Sequence, residues 1–240
     1  MRKLLLGCAA TAGVLALTVG VSHAAPVYIG FQIAGYDGGV ITTVASNTNP
    51  GGTVSVTNLA YGNVATAIFQ SSVFVTGTPP NPEPDLASTA VTITGEHPGT
   101  LNIYVSETNQ FPTNFPVFES IFGASASPFP TGASVVESTY VHECSVPNGP
   151  CTAADIYQTT TLLSTTTFTA NGSVTDIVGK PALPTVPYST TELYTITLTA
   201  PTYTDPLSLS IDLYSAPEPA SLALLGLGLG ALGMVRRRRT

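Results

Sequence analysis

Leu207-Ser208-Leu209-Ser210-Ile211-Asp212-Leu213 alternates strictly between apolar and polar side chains. In an extended chain successive side chains point to opposite faces, so this stretch offers aliphatic groups to one side and hydroxyls and a carboxylate to the other. A helical period would scatter the same residues around a cylinder. The pattern recurs along the chain. Val27, Ile29, Phe31 and Ile33 share a face, as do Leu101, Ile103 and Val105, and Tyr194, Ile196 and Leu198 alternate with threonines. Further strands are expected at 54–57, 65–75, 91–94, 135–144, 156–169 and 173–178, separated by Gly, Pro and Asn turns. No stretch of the body combines a helical period with caps. The fold class expected is all-β: an antiparallel β-sandwich of jelly-roll or immunoglobulin-like type, with a closed barrel as the alternative. Two longer loops are expected, Thr78 to Asp85 and Phe111 to Pro130. The second is rich in Phe and Pro, and its aromatic rings are read as covering the open end of the sandwich.

Composition narrows the function. Of the seven Lys and Arg residues, only Lys180 falls between residues 25 and 215, against thirteen of the fourteen acids. A groove for phosphate or nucleic acid needs cations that this body lacks, so nucleic acid is excluded as a partner. Serine and threonine, roughly a quarter of the body, take the place of charge on the polar faces, which suits half-buried strands. Three cysteines occur. Cys8 lies in the leader, and Cys144 and Cys151 flank the turn sequence Ser145-Val146-Pro147-Asn148-Gly149-Pro150. In an oxidising compartment that pair is expected to be a disulfide.

Catalytic constellations are missing. His142-Glu143 is followed at once by Cys144, so there is no His-Glu-x-x-His; there is no Gly-x-Ser-x-Gly elbow and no phosphate-cradling loop with a lysine. His97 sits in Gly95-Glu96-His97-Pro98-Gly99, a turn. Glu83 and Asp85 lack EF-hand spacing, and His142 with the two cysteines is too small a set for a metal. Two carboxylates can run glycoside hydrolysis, but the acids are scattered and nothing in the sequence selects a pair. No cofactor, metal or catalytic residue is assigned.

Both ends of the chain carry targeting features. Met1-Arg2-Lys3 precedes an apolar run from Leu4 to Val21, then Ser22-His23-Ala24-Ala25: a basic start, an apolar middle and small residues for cleavage after Ala24. Pro26 disfavours a helix continuing past that point. At the other end, Ala216-Pro217-Glu218-Pro219 is a stiff extended element. An uncharged Leu/Gly stretch follows from Ala220 to Val235, then Arg236, Arg237, Arg238 and Arg239. As a helix the stretch is roughly 24 Å long against about 30 Å of hydrocarbon, a marginal span. Its six leucines contribute roughly 3 kcal/mol of insertion free energy, enough for a temporary anchor. The arginines are expected to stay in the cytoplasm, which places Pro217-Glu218-Pro219 just outside the membrane.

In those residues the chain resembles the PEP-CTERM proteins of Gram-negative bacteria, whose sorting signal joins a Pro-Glu-Pro motif, a short apolar helix and a terminal arginine cluster. The resemblance implies processing by an exosortase, a membrane-embedded enzyme, and delivery to the surface or the exopolysaccharide matrix. The organisation expected is thus a signal peptide at 1–24, a β-sandwich at 25–215 and a sorting tail with a short transmembrane helix at 216–240. The expected protein is exported and non-catalytic. It is anchored briefly in the inner membrane, then placed at the cell surface or in the extracellular matrix. The alternatives are a polysaccharide-binding module and, behind it, a secreted hydrolase with a carboxylate pair.

Overall fold

The computed structural model describes residues 25–49, 52–63, 67–77, 85–110, 117–146, 149–179, 187–199 and 202–216. The expected signal peptide with Ala24, most of the expected loop at 78–85, and the tail from Pro217 onward with Arg236 to Arg239 lie outside the described residues.

Among the described residues, twelve strands form two antiparallel sheets. In chain order they are β1 (Val27–Ile33), β2 (Thr42–Asn47), β3 (Thr53–Asn63), β4 (Ala67–Gly77), β5 (Asp85–Glu96), β6 (Gly99–Gln110), β7 (Val117–Ala126), β8 (Ala133–Glu143), β9 (Thr161–Phe168), β10 (Gly172–Gly179), β11 (Tyr188–Leu198) and β12 (Thr202–Ala216). The first sheet has the order β2-β1-β6-β11-β8-β9 and the second β10-β7-β12-β5-β4-β3. Each sheet therefore ends in two open edges, and the layers make a sandwich, not a closed barrel.

Register turns the alternation into a core. Val27, Ile29, Phe31 and Ile33 oppose Glu107, Val105, Ile103 and Leu101, which places all of them on one face. Tyr194, Ile196 and Leu198 continue that face onto β11. Leu207, Leu209, Ile211 and Leu213 of β12 supply the facing layer, and these apolar side chains are buried. Packing such residues between two sheets about 10 Å apart is the main stabilising term of a sandwich. Tyr61 closes one pole: its ring meets Phe31 edge-on at 5.5 Å and Tyr36 at 5.1 Å. Its hydroxyl donates to the Phe31 carbonyl at 3.2 Å. Gly62 beside it has φ 110°, and a Cβ there would lie 1.9 Å from the Ala67 carbonyl oxygen, so only glycine fits this turn.

Two local expectations are corrected. The Phe/Pro-rich stretch 111–130 is not one loop, because β7 runs through it as a central partner of β12 and β10. Its inward residues are Phe118, Ser120, Phe122 and Ala124. A serine and an alanine dilute the apolar alternation, and the flanking prolines mask the remainder. Of the aromatic rings there, Phe118 and Phe122 are buried, while Phe111 and Phe115 lie outside the described residues. The strand expected from Ile156 begins only at Thr161. Ala153–Asp155 is a 3-10 turn capped by Thr152, and Tyr157 has φ 59°.

Candidate functional site

Three features compete as functional sites: the pole where the chain ends leave the sandwich, the cystine loop beside it, and a set of acids inside the core. The first is defined by strand ends. β12 is paired to its last residue, with Ser215 opposite Phe118 and Ala216 opposite Val117. Pro217 follows Ala216 directly in sequence, so no spacer separates the folded sheet from the Pro-Glu-Pro element. Tyr214 and Leu213 pair with Asp85 and Leu86, and Leu86 pairs with Gly77. Gly77 lies against Val27, where a Cβ would come within 2.5 Å of the valine Cγ2. The start of β1 and the end of β12 therefore lie at the same pole. Pro26, two residues past the expected cleavage point, is held there by the Thr108 N–H donating to its carbonyl at 3.0 Å.

The cystine loop belongs to this pole as well. Cys144 and Cys151 form a disulfide with Cα atoms 4.9 Å apart. The loop is clamped to the end of β6, where Asn109 Oδ1 accepts the Cys151 N–H at 2.5 Å. Asp155 organises the chain that follows. Its carboxylate accepts from the Ser145 N–H at 2.8 Å, the Thr152 N–H at 2.6 Å, the Thr152 hydroxyl at 2.8 Å and the Ser145 hydroxyl at 3.1 Å. Burial alone raises the Asp155 pKa. The hydrogen bonds from Thr152 and Ser145 outweigh it and hold the group at about 2. His142 Nε2 lies 3.3 Å from Asp155 Oδ1 and its Nδ1 lies 2.9 Å from the Thr160 hydroxyl. His142 is thus a strand residue tied to a structural carboxylate. Opening the disulfide by Cys144→Ser with Cys151→Ser is expected to lower stability by about 2 kcal/mol, the loop-entropy value for so short a closure. Urea unfolding of the variant beside the parent measures it.

The third feature was not legible as a site in the sequence. Glu107, Glu137 and Glu192 all point into the sandwich and are at most 1 % exposed. They sit on the adjacent strands β6, β8 and β11, where register places Glu192 opposite Val105 and Thr139. Glu192 accepts from the Ser88 hydroxyl on the facing sheet, and Ser88 also meets the Tyr194 hydroxyl. The Tyr194 oxygen accepts the Ile211 N–H at 2.8 Å, which ties both sheets together. Glu137 Oε2 accepts the Gly123 N–H at 3.1 Å. Burial pushes the Glu137 carboxyl up to about 9, only partly opposed by that N–H. Burial also raises Glu192; Ser88 lowers it, while Asp212, Glu107 and Glu137 raise it further. With its pKa at about 9 the Glu137 carboxyl favours the protonated form at pH 7, and Glu192 is shifted in the same direction by burial. The strand parity that marks Leu101, Ile103 and Val105 as core extends to Glu107, and that of Tyr194 and Ile196 extends back to Glu192. That parity was the available signal.

Glycoside hydrolysis needs a carboxylate and an acid flanking a bound sugar, whereas Glu107, Glu137 and Glu192 are buried between the two sheets. Among the described residues no group of three His, Cys, Asp or Glu side chains is arranged to hold a metal ion. His97 stands in the β5–β6 turn with φ 69° and is exposed. Glu107, Glu137 and Glu192 lie buried between the two sheets, and the start of β1, the end of β12 and the cystine loop share one pole.

Residues 215–239 match the PEP-CTERM protein-sorting motif. The match takes in Pro217, Glu218, Pro219 and Arg236 to Arg239, and it supports export with processing by an exosortase. No curated protein matches the chain. No helix among the described residues is long and apolar enough to cross a membrane.

Proposed function

We propose that this chain is an exported, non-catalytic surface or extracellular-matrix protein whose β-sandwich is the cargo of its C-terminal sorting signal. The observation that carries this reading is the sorting motif at residues 215–239, joined without a spacer to a paired central strand. Leader removal after Ala24 frees the N-terminus. The Leu/Gly stretch holds the tail in the inner membrane, with Arg236 to Arg239 on the cytoplasmic side by the positive-inside rule. Pro217-Glu218-Pro219 then stands at the outer face for an exosortase. Because β1 begins and β12 ends at one pole, a single orientation lets both the leader and the tail reach the same bilayer while the sandwich is folded. In that orientation the cystine loop faces the membrane, and the turns around Asp37 and His97 face away. The acidic body, with one lysine, has little attraction for anionic lipid and leaves the surface readily once the tail is processed.

Replacing Pro217, Glu218 and Pro219 by alanine in the full chain is expected to leave the protein at its tail-bearing mass in the inner-membrane fraction. The parent is expected to appear shortened at the cell surface or in the matrix. Deleting Arg236 to Arg239 is expected to give the same retention or a loss of insertion. Immunoblotting of fractionated cells reads both. Equal delivery of the alanine variant, or of the parent in a strain without exosortase, would refute the reading.

A further inference from the structure

We propose that Thr160, with His142 as its general base and Asp155 behind it, is a covalent acceptor site that takes one acyl group from an activated acyl ester. The three side chains form a chain of two hydrogen bonds. The Thr160 hydroxyl lies 2.9 Å from His142 Nδ1, and His142 Nε2 lies 3.3 Å from Asp155 Oδ1. A nucleophile within reach of a base, with the base oriented by a third group, is the arrangement that activates a hydroxyl. Strand pairing brings the residues together. The β8–β9 ladder runs to Val141 opposite Thr161. One step beyond it on each strand stand His142 and Thr160.

Asp155 fixes the direction of these hydrogen bonds. An ionised carboxylate only accepts, so in the neutral imidazole the proton sits on Nε2 and Nδ1 presents its lone pair to the Thr160 hydroxyl. A competing acceptor for that hydroxyl, the Val141 carbonyl, is farther away at 3.5 Å. Exposure grades in the same order. Thr160 is exposed, the His142 side chain is 21 % accessible and that of Asp155 1 %. A reactant therefore reaches the hydroxyl from solvent while the carboxylate stays in place. Asp155 is held by the N–H groups of Ser145 and Thr152, and His142 sits in the ladder opposite Ser189. Thr160 and His142 are the groups that meet the acyl donor, and Asp155 is a positioning residue.

In the reaction, Thr160 Oγ1 attacks the acyl carbon as its proton passes to His142 Nδ1, and the imidazolium so formed faces the Asp155 carboxylate. The bond that forms joins Oγ1 to the acyl carbon. The bond that breaks joins that carbon to the leaving oxygen, which departs with the electron pair and takes up the proton from Nδ1. The products are a Thr160 ester and a free phenol or activated alcohol, and no oxidant or reductant is consumed. Base catalysis of this kind contributes about 10²–10⁴-fold, so the donor that fits is an ester with a good leaving group. Threonine is a secondary alcohol and a poorer leaving group than the donor's, so the acyl group stays on the chain. One group is taken up per chain, which goes beyond the cargo reading without replacing it.

The test treats the folded full chain, disulfide intact, with p-nitrophenyl acetate and maps acetyl groups by peptide mass spectrometry. Thr160 is expected to be acetylated at least about 100-fold faster than Ser55, an exposed hydroxyl of β3, which is the lower end of general-base catalysis. His142→Gln keeps hydrogen-bonding capacity and removes the base, and is expected to bring the Thr160 rate down to that of Ser55. Thr160→Ser keeps a nucleophile in place, and is expected to be labelled at that position at least as fast as the parent. Equal rates at Thr160 and Ser55 in the parent, an unchanged Thr160 rate in His142→Gln, an unlabelled Thr160→Ser, or steady release of p-nitrophenol with no Thr160 ester would each overturn the proposal. The rates are read on purified chain and sorting is read by cell fractionation, so failure of one is distinguishable from failure of the other.

Discussion

The fold is expected to be more stable at pH 5 than at pH 8, and Glu137→Gln is expected to reverse that difference in part. Glu137 is held protonated to about 9 in the folded state, against about 4.5 when unfolded. Between those values the native state binds more protons than the unfolded chain, so the unfolding free energy falls as pH rises. The slope is up to about 1.4 kcal/mol per pH unit for one such group. Stability contributed in this way is complete below pH 4.5 and is lost progressively towards pH 9. Glu192 shifts in the same direction, for the same reason of burial, and adds to the loss. The domain is therefore expected to be measurably less stable on the alkaline limb than at mildly acidic pH. Glutamine keeps an acceptor for the Gly123 N–H and cannot ionise. The Glu137→Gln curve should therefore lie near or slightly below the parent at pH 5 and clearly above it at pH 8. Denaturant titrations at several pH values check this, and a parent whose midpoint rises from pH 5 to pH 8 would contradict it.

Asp155→Ala is expected to cost about 3 kcal/mol and to remove the acid limb of the same pH profile. The carboxylate accepts the N–H groups of Ser145 and Thr152, and alanine leaves these donors without that acceptor inside the loop. Asp155 is 1 % exposed, so water does not replace the lost acceptor at the same place. Its folded pKa is depressed to about 2, the opposite sign to Glu137. Its contribution is therefore present above the unfolded value near 3.8 and is lost as pH falls towards about 2. The parent should show a stability maximum in the mildly acidic range, bounded by Asp155 below and by the buried glutamates above. In Asp155→Ala the lower boundary should disappear while the upper one stays. Thermal unfolding across pH 2.5–9 on both proteins, as a rough range chosen to bracket these limits, separates the two effects.

Much of the architecture was legible locally because a strand states its faces through a period of two. β1, β6, β11 and β12 carry their core residues on one parity, and each is buried as expected. The miss at β7 has a physical cause. A central strand packed on both sides can use Ser120 and Ala124 inward where a neighbouring sheet approaches closely, and such residues carry no hydropathy signal. The delayed start of β9 goes with Tyr157, whose φ of 59° breaks the extended chain between the 3-10 turn and Thr161.

Residue order alone carries the sorting motif at 215–239 and the expected leader, because such features act through composition and position along the chain. It also determined that the body is acidic, poor in cations and built of strands. Only the tertiary structure decided which acids meet. Glu107, Glu137 and Glu192 are distant in sequence and become neighbours through strand pairing across β6, β11 and β8. It also decided that the first and last strands leave from one pole. Each of these depends on long-range register, which hydropathy along the chain does not encode.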